Sequence, residues 1–374
     1  MARLKILRIV NELTLAGLEV GIGNIVLNLN REKYENVLVC IKNRDKNYVL
    51  PGIKVYELNK KKGLGLSLPL KISRIIRKEK PSVLQMHNAD PFQQGMLASL
   101  ISNVPIKIYI DHNSFEAEKS KKAVLLDRFL ARRLNSVVAV SEEVKRRIVS
   151  QFSIQPEKVK VILNGTDLKK FNKNFNSAKI KKELGLKKEN KIITIIAGLR
   201  PVKDHISLIK AFSYVVQKEK NAKLLIVGEG DTKIKEGILN EIKAGKLNNN
   251  VCMLSLREDI PEILAITDVS VLSSLSEGTS QTIMESMAAS RPVVATNVGG
   301  NCVLIEDGKN GLLVPPKDPE EMADAILRLL GNKKLRENMG REGKKRVQEY
   351  FNINRVVKDY EQLYDTLLRK KGLI

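Results

Sequence analysis

The sequence contains no tryptophan and few other aromatic residues, with 8 tyrosines and 8 phenylalanines among 374 residues. Carbohydrate-binding modules and proteins that bind single-stranded nucleic acids usually need aromatic side chains as stacking platforms. The composition therefore argues against both classes, and we expect no nucleic-acid partner.

Cysteine and histidine are also scarce. The three cysteines, Cys40, Cys252 and Cys302, are far apart and form no CxxC pair, so neither a disulfide framework nor a structural zinc site is expected. The chain has only three histidines and no DxD pair, which predicts a site that works without a metal and without a cofactor. These features predict a protein of the reducing cytoplasm.

Long apolar runs are absent as well. No stretch approaches the roughly 18 apolar residues of a membrane span, and no secretory leader is recognisable at the N-terminus. We therefore expect a cytoplasmic protein, either free or peripheral on the inner face of the membrane.

Basic residues, in contrast, are abundant: the formal net charge is +23, and most of the excess lies in residues 1–190. One interpretation is a lysine-rich background, and the other is attraction to an anionic membrane surface or a lipid-diphosphate acceptor. Residues 119–136 are the best local candidate, because several basic residues accompany an apolar stripe with helical spacing. That stripe consists of Val124, Leu125, Phe129 and Leu130. Such a stripe can equally pack on a sheet, so both interpretations stay open.

Short apolar strands alternate with helical stretches along the whole chain, beginning with KILRIV at residues 5–10. This alternation is typical of parallel sheets covered by helices on both faces. The length exceeds that of one ordinary core, and a Lys/Asn-rich passage at residues 168–190 is a candidate linker. We predict an α/β protein with two doubly wound domains and ligands at the carboxyl ends of the strands.

The segment SEGTSQTIMESMAAS carries two carboxylates eight positions apart, Glu277 and Glu285. Gly278 permits a tight bend between them, and either Thr279 or Ser280 is suited to cap a helix. Two glutamates around a helix start can simply stabilise the helix dipole. The alternative is that each carboxylate accepts hydrogen bonds from a different part of one ligand.

The predicted helix starts near Gln281, so the N–H groups of Gln281, Thr282 and Ile283 are expected to be unpaired. The partial positive charge at such a helix start suits a phosphate. A diphosphate would fit there, between the two carboxylates.

This segment, with the RPVVATNVGGN that follows it, resembles the donor-binding signature of the family 4 retaining glycosyltransferases, the glycosyl transferases group 1. The resemblance extends to LTLAGLEVG, VVAVSEEVKRRIV, VILNGTD, AGLRPVKDHISLIKAF and NGLLVPPKDPEEMADAI. It implies the GT-B fold, in which two Rossmann-like domains face a cleft. Residues 1–167, with the C-terminal helix 352–374 crossing back, would form the acceptor-side domain, and residues 168–351 the nucleotide-sugar-binding domain.

The resemblance also implies the site. Catalytic roles fall on Glu277, His112, Lys203 and Arg200, with Arg200 as a substitute for a family arginine whose position holds Gly198. Residues implied in donor binding are Gly17, Leu256, Arg257, Gly278, Thr279, Ser280, Gln281, Thr282, Ile283 and Glu285. Ala16 replaces the first glycine of the family's GGxE motif, and His87 at another strand end is given a supporting role.

The implied function is a retaining, metal-independent glycosyltransferase of hexosyltransferase type. It would move a sugar from a UDP- or GDP-sugar donor to a glycan or polyprenyl-linked acceptor in cell-surface polysaccharide synthesis. Two alternatives remain: a sugar-nucleotide epimerase, which needs no acceptor, and a non-catalytic protein that binds polyanions or membranes.

Overall fold

The computed structural model describes residues 3–14, 17–46, 48–60, 65, 67–112 and 120–374. The chain divides into two compact units, one formed by Met1–Asn164 with Ile353–Ile374 and the other by Gly165–Asn352. Each unit has its own parallel sheet and its own apolar core.

The first unit contains a seven-stranded sheet in the order β3-β2-β1-β4-β5-β6-β7. Its strands are β1 (Leu4–Val10), β2 (Tyr34–Cys40), β3 (Lys54–Glu57), β4 (Val83–His87), β5 (Ile106–Asp111), β6 (Ser136–Ala139) and β7 (Val159–Val161). Its helices are α1 (Gly17–Asn28), α2 (Leu68–Glu79), α3 (Ala89–Leu100), α4 (Lys121–Ala131), α5 (Glu142–Phe152) and, from the far end of the chain, α14 (Ile353–Lys370). A short 3-10 helix, Pro156–Lys158, precedes β7.

The second unit contains a six-stranded sheet in the order β10-β9-β8-β11-β12-β13. These strands are β8 (Lys191–Ile196), β9 (Ala222–Val227), β10 (Val251–Leu254), β11 (Val269–Leu272), β12 (Val293–Thr296) and β13 (Gly311–Val314). The helices are α6 (Ser177–Glu183), α7 (His205–Lys218), α8 (Thr232–Ala244), α9 (Ile260–Ile266), α10 (Gln281–Ala288), α11 (Asn301–Leu304), α12 (Pro319–Gly331) and α13 (Lys333–Tyr350). Two 3-10 helices, Leu168–Phe171 and Pro201–Lys203, complete this unit.

Both sheets are buried on their two faces, which explains why their central strands read as continuous apolar runs. In the first unit, one face packs on α2, α3 and α5. The other face packs on α14, whose Tyr360 and Tyr364 are almost fully buried. The prediction of two doubly wound α/β sheets is confirmed. None of the helices in the described ranges combines the length and the apolar composition needed to cross a bilayer.

Candidate active site

The strand order of the second unit reverses between β8 and β11. Loops that leave neighbouring strands on opposite sides of such a reversal diverge, and the crevice at their carboxyl ends is where open α/β sheets bind ligands. The loop after β8 carries Lys203 and the loop after β11 carries Glu277. The topology therefore places these two predicted residues at the usual ligand position of the fold.

Glu277 and Lys203 form a direct ion pair, in which the Lys203 Nζ donates to the Glu277 Oε1. The Ser274 hydroxyl donates to the same oxygen over 2.5 Å. Both side chains of the ion pair are largely buried. The second carboxylate oxygen, Oε2, makes no hydrogen bond with any residue that the structure describes, so it is the atom that can accept from a ligand hydroxyl.

Two further hydrogen bonds tie the β8 loop to the β11 loop. The Ser273 hydroxyl donates to the Lys203 carbonyl over 2.8 Å, and the Leu275 N–H donates to the Val202 carbonyl, also over 2.8 Å. The backbone around Lys203 is thus fixed relative to Glu277, which keeps the ammonium beside the carboxylate without help from a ligand.

Two glycines, Gly299 and Gly300, pack closely against the backbone of Glu277 and Gly278. A Cβ on Gly299 would lie 2.1 Å from the Glu277 carbonyl oxygen, and one on Gly300 would lie 1.4 Å from the Gly278 carbonyl oxygen. The Gly300 N–H donates to the Glu277 carbonyl over 3.1 Å. Only residues without a Cβ allow this close backbone contact. The glycines of VGGN therefore support the site through packing, a role that the sequence did not reveal.

Helix α10 starts at Gln281 as predicted, and Ser280 is its N-cap. The Ser280 hydroxyl accepts from the Ile283 N–H over 3.3 Å. The expectation that the Ile283 N–H is unpaired is therefore wrong, because the capping hydroxyl reaches it first. The N–H groups of Gln281 and Thr282 make no hydrogen bond within the described chain. The anion-binding capacity of this helix start rests on those two donors.

The side chains of the first turn of α10 are also engaged. The Thr282 hydroxyl donates to the carbonyl of Ile196 at the end of β8, over 2.8 Å. The Gln281 Nε2 donates to the Glu285 Oε1 over 3.1 Å. Burial raises the pKa of Glu285 to about 7, and the bond from Gln281 counteracts only part of that effect. Glu285 is thus a half-buried carboxyl that changes its charge near neutral pH.

Arg200 is an exposed residue at the start of the Pro201–Lys203 turn. A Cβ on Gly198 would lie 3.8 Å from the Arg200 Nε, so the arginine side chain passes over the position that the resembling family fills with arginine. The turn after β9 supports this loop, since the Leu199 N–H donates to the Glu229 carbonyl over 2.9 Å. Residues 228–231 thus form the turn that connects β9 to α8.

Leu256 and Arg257 follow β10, two strands away from the reversal point. The Arg257 guanidinium donates to both carboxylate oxygens of Asp259, over 2.7 and 2.5 Å, and to Glu183 over 3.2 Å. These carboxylates hold the pKa of Arg257 above its ordinary value. The resemblance implies that this segment binds the donor, and that role stays a prediction.

The first unit contains Gly17, His112 and His87. Gly17 is the first residue of α1, while its neighbour Ala16 lies outside the described residues. His112 directly follows β5, and His87 is the last residue of β4. The His87 Nδ1 and the His112 Nε2 are 3.0 Å apart, and both side chains are buried.

Metal ligands do not converge within the described ranges of the chain. No group of three His, Cys, Asp or Glu side chains among the described residues is arranged to hold an ion. Metal-independent chemistry stays a prediction.

Models of two protein families match consecutive parts of the chain. Glycosyltransferase Family 4 matches residues 15–170, and Glycosyl transferases group 1 matches residues 176–346. The chain belongs to the group 1, family 4 glycosyltransferases. Its activity as a glycosyltransferase follows, which favours the enzymatic interpretation over the non-catalytic alternative.

Curated relatives of this glycosyltransferase share about a quarter of its residues. It is 27% identical over 315 residues to UDP-Gal:alpha-D-GlcNAc-diphosphoundecaprenol alpha-1,3-galactosyltransferase of Escherichia coli, covering 81% of this chain and 80% of that one. It is 28% identical over 318 residues to N-acetyl-alpha-D-glucosaminyl L-malate synthase of Bacillus anthracis, covering 83% and 81%.

Solved structures confirm the fold of this glycosyltransferase. HepE of Anabaena, in complex with UDP and glucose, matches with a TM-score of 0.85 at 21% identity, covering 97% of this chain and 100% of that one. WaaG, a glycosyltransferase involved in lipopolysaccharide biosynthesis, matches with a TM-score of 0.75 at 14% identity, covering 95% and 99%. The fold is that of the GT-B glycosyltransferases.

Several residues that shape the candidate site of this glycosyltransferase were not predicted from its sequence. Ser274 binds the carboxylate of Glu277, and Ser273 fixes the backbone of Lys203. Both serines end the strand segment VSVLSS, where small polar residues at a strand exit were the available signal. Ser274 lies only 3 positions from its partner Glu277, whereas Ser273 lies 70 positions from its partner Lys203. The partner of Ser273 therefore could not be inferred from neighbouring residues in the sequence.

Proposed function

We propose that this glycosyltransferase transfers a hexose from a UDP-sugar to a lipid-linked glycan acceptor, with retention at the anomeric carbon and without a metal. The observation that carries the proposal is the buried Lys203–Glu277 pair, held by Ser274 at the reversal point of the sheet and followed by the start of α10. The two loops that follow β8 and β11 thus bring together a cation, a hydrogen-bond acceptor and unpaired backbone N–H donors.

Each part matches a need of the reaction. The departing nucleoside diphosphate gains negative charge, which the Lys203 ammonium, the Arg200 guanidinium and the N–H groups of Gln281 and Thr282 would stabilise. The free Oε2 of Glu277 would accept a hydroxyl of the donor sugar, while Glu285 would accept from the ribose. Positioning and charge stabilisation then account for catalysis without a protein nucleophile.

The choice of donor and acceptor rests on what similar proteins are named for. The Escherichia coli relative acts on UDP-Gal and a diphosphoundecaprenol-linked GlcNAc, and HepE was crystallised with UDP-glucose. We therefore place UDP-hexoses first among donors, with GDP-sugars as the competing class. Polyprenyl-diphosphate-linked sugars come first among acceptors, which corresponds to a role in cell-surface polysaccharide synthesis.

Thermal unfolding with UDP-, GDP- and ADP-sugars in the presence of EDTA tests the donor site, because a ligand that binds only the folded state raises the midpoint. We expect UDP-sugars to stabilise the protein, and this effect to be lost in Glu285→Ala. The matched control is Glu236→Ala, an exposed glutamate on α8 of the same unit, which should respond like the wild type. An equal response of both variants would contradict the assignment of Glu285.

Steady-state kinetics should distinguish the roles of Glu277 and Glu285. We expect Glu277→Ala to lower kcat at least about a hundredfold, as for removal of a group that acts in the transition state. Glu285→Ala should mainly raise the KM for the donor. The anomeric configuration of the product, read by NMR, tests retention, and conversion of the donor without any acceptor would instead indicate an epimerase.

A membrane-bound acceptor requires the enzyme to work at the surface of a bilayer. Helix α4 has exposed apolar and basic side chains that suit contact with such a surface. Leu125, Leu126 and Phe129 are 70, 39 and 47% exposed, so this side of the helix is not packed on the sheet. Basic residues flank the three apolar side chains, namely Lys121, Lys122, Arg128, Arg132 and Arg133. The only carboxylate of the helix, Asp127, is buried. We propose that this surface docks on anionic lipid headgroups and inserts its apolar side chains between them.

Sedimentation with vesicles tests the docking surface. Wild-type protein should bind vesicles containing phosphatidylglycerol and bind pure phosphatidylcholine vesicles weakly, with affinity falling as salt rises. Leu125→Ser combined with Phe129→Ser should weaken binding about tenfold or more. The control is Leu239→Ser, which removes an exposed leucine of similar accessibility from the second unit. Equal binding of the two variants would refute the role of α4.

A further inference from the structure

His87 and His112 form a buried pair at the carboxyl edge of the first sheet. The two rings stack at an interplanar angle of 15° with centroids 5.3 Å apart, and the His87 Nδ1 lies 3.0 Å from the His112 Nε2. The residues are 2 and 8% exposed. The remaining ring nitrogens, the His87 Nε2 and the His112 Nδ1, are buried without a hydrogen-bond partner in the described part of the chain.

The protons of this pair can be counted. Burial lowers the pKa of His87 well below its ordinary value and the pKa of His112 to about 4, so both rings are neutral at pH 7. Two neutral imidazoles carry two N–H protons, and one of them occupies the shared hydrogen bond. If His87 is the donor, the second proton lies on the His112 Nδ1. If His112 is the donor, it lies on the His87 Nε2.

Arg8 distinguishes the two arrangements. It is a buried guanidinium on β1, held by the Asn36 Oδ1 at 3.1 Å and the Tyr364 hydroxyl at 3.3 Å. Strand β4 lies between β1 and β5, so Arg8 and His112 are on opposite sides of His87. The charge of Arg8 acts on His87 and helps to lower its pKa. Because the His87 Nδ1 is engaged with His112, the other nitrogen, Nε2, is the one on which this nearby cation favours a lone pair over an N–H.

The backbone around the pair is also constrained. Asn88, directly after His87, has φ 66° and ψ 179°, a conformation that only glycine adopts readily. Its side-chain Oδ1 accepts from the backbone N–H of His112 over 3.0 Å. A strained residue thus fixes the position of His112 at the end of β5. Strain of this kind persists where the surrounding structure enforces it, and it is commonly found at functional sites.

We infer that His87 is a positioning residue that donates its Nδ1–H to the His112 Nε2 and thereby keeps the second proton on the His112 Nδ1. His112 is then a neutral hydrogen-bond donor near pH 7, and its Nδ1–H has no acceptor among the residues that the structure describes. This inference rests on the proposed function: the resemblance implies a catalytic role for His112 in sugar transfer, and we assign a hydroxyl oxygen of a substrate sugar as the acceptor. In this protonation state the His112 Nδ1 donates a hydrogen bond and cannot serve as a general base.

NMR of protein labelled with ¹⁵N-histidine tests the tautomers directly, and only three imidazoles contribute signals because the chain has only three histidines. We expect the wild-type His112 signals to report a proton on Nδ1. His87→Asn should preserve this state, because the asparagine N–H can replace the Nδ1–H. His87→Leu should lose it. A wild-type His112 with its proton on Nε2 would overturn the inference, whether or not the protein binds any nucleotide.

Kinetics test the link to catalysis. His87→Leu should lower kcat about tenfold with little change in the donor KM, while His87→Asn should stay within about threefold of the wild type, magnitudes expected for one hydrogen bond. In a His112→Ala background, His87→Leu should have no further effect on kcat. An equal loss in both backgrounds would show that His87 has only a structural role. Failure of the proposed function can be distinguished from failure of this inference. In the first case the wild-type protein would show no donor turnover, while NMR would still report which nitrogen of His112 carries the proton.

Discussion

At the scale of single residues, the site depends on carboxylates whose oxygens are used unequally. Glu277 binds Lys203 and Ser274 through Oε1 only, and Glu285 binds Gln281 through Oε1 only. Each therefore has one oxygen free of hydrogen bonds to the described residues. The sequence predicted both glutamates but not which atoms remain available, because Ser274 and Lys203 reach Glu277 from different loops.

The pKa of Glu285 leads to a pH prediction. Below pH 7 the carboxyl is mainly protonated, and above it the ionised form predominates, which in the proposed function accepts the ribose hydroxyls. Donor affinity should therefore rise as the pH increases through about 7. The gain is limited to about tenfold per pH unit for a single group. Calorimetric titration with a UDP-sugar is the suitable measurement, since its diphosphate, unlike free UDP, has no terminal phosphate that titrates near pH 6. In Glu285→Gln, the pH dependence should be absent.

At the scale of elements, the strands and helices were largely predictable, and the exceptions have physical reasons. The strands β3 and β7 were not predicted, because both are short and at the edges of the sheet, so neither has a continuous apolar run. The apolar stripe of α4 was ambiguous in the sequence. In the structure Leu130 is buried and Leu125 is exposed, a difference that depends on which face meets the sheet. Ser280, one of two predicted caps, reaches Ile283 because its backbone is extended.

The contact between the Glu277–Gly278 turn and the glycines of VGGN leads to a second prediction. Gly300→Ala should displace the Glu277–Gly278 turn, since the added methyl would overlap the Gly278 carbonyl oxygen. We expect a loss of about 1–3 kcal/mol in the free energy of unfolding and a larger relative loss in kcat. Gly331→Ala at the end of α12 is the control, because nothing lies within 4 Å of its Cβ position. Denaturant unfolding and steady-state kinetics measure the two effects, and equal behaviour of the variants would contradict the packing role.

At the scale of the whole molecule, the buried histidines make stability depend on pH. Burial lowers the pKa of His87 well below normal and those of His112 and His205 to about 4, whereas the unfolded chain titrates near 6.5. Between those values the unfolded state binds more protons than the folded state, so stability is lost as the pH falls from about 6.5 to 4. Each histidine contributes at most about 1.4 kcal/mol per pH unit.

Glu285 acts in the opposite direction, because its raised pKa gives stability at low pH that is lost as the pH rises through about 7. The histidines outnumber it, so the net change below pH 6.5 should be destabilising. Thermal midpoints at pH 7.5, 6.5 and 5.5 measure this slope, and His205→Asn should make it shallower. A midpoint that stays constant or rises on acidification would show that the histidines are protonated in the folded protein.

The first unit is built from two distant segments of the chain, which affects when it can fold during synthesis. One of its inner strands, β1, is made long before α14, but α14 contributes the Tyr364 hydroxyl that binds Arg8 of that strand. All of residues 165–352 leave the ribosome between the two. The second unit can thus fold on the nascent chain while the first still exposes the apolar face that α14 will cover. That face is the surface through which a slowly translated or prematurely ended chain would meet chaperones or aggregate.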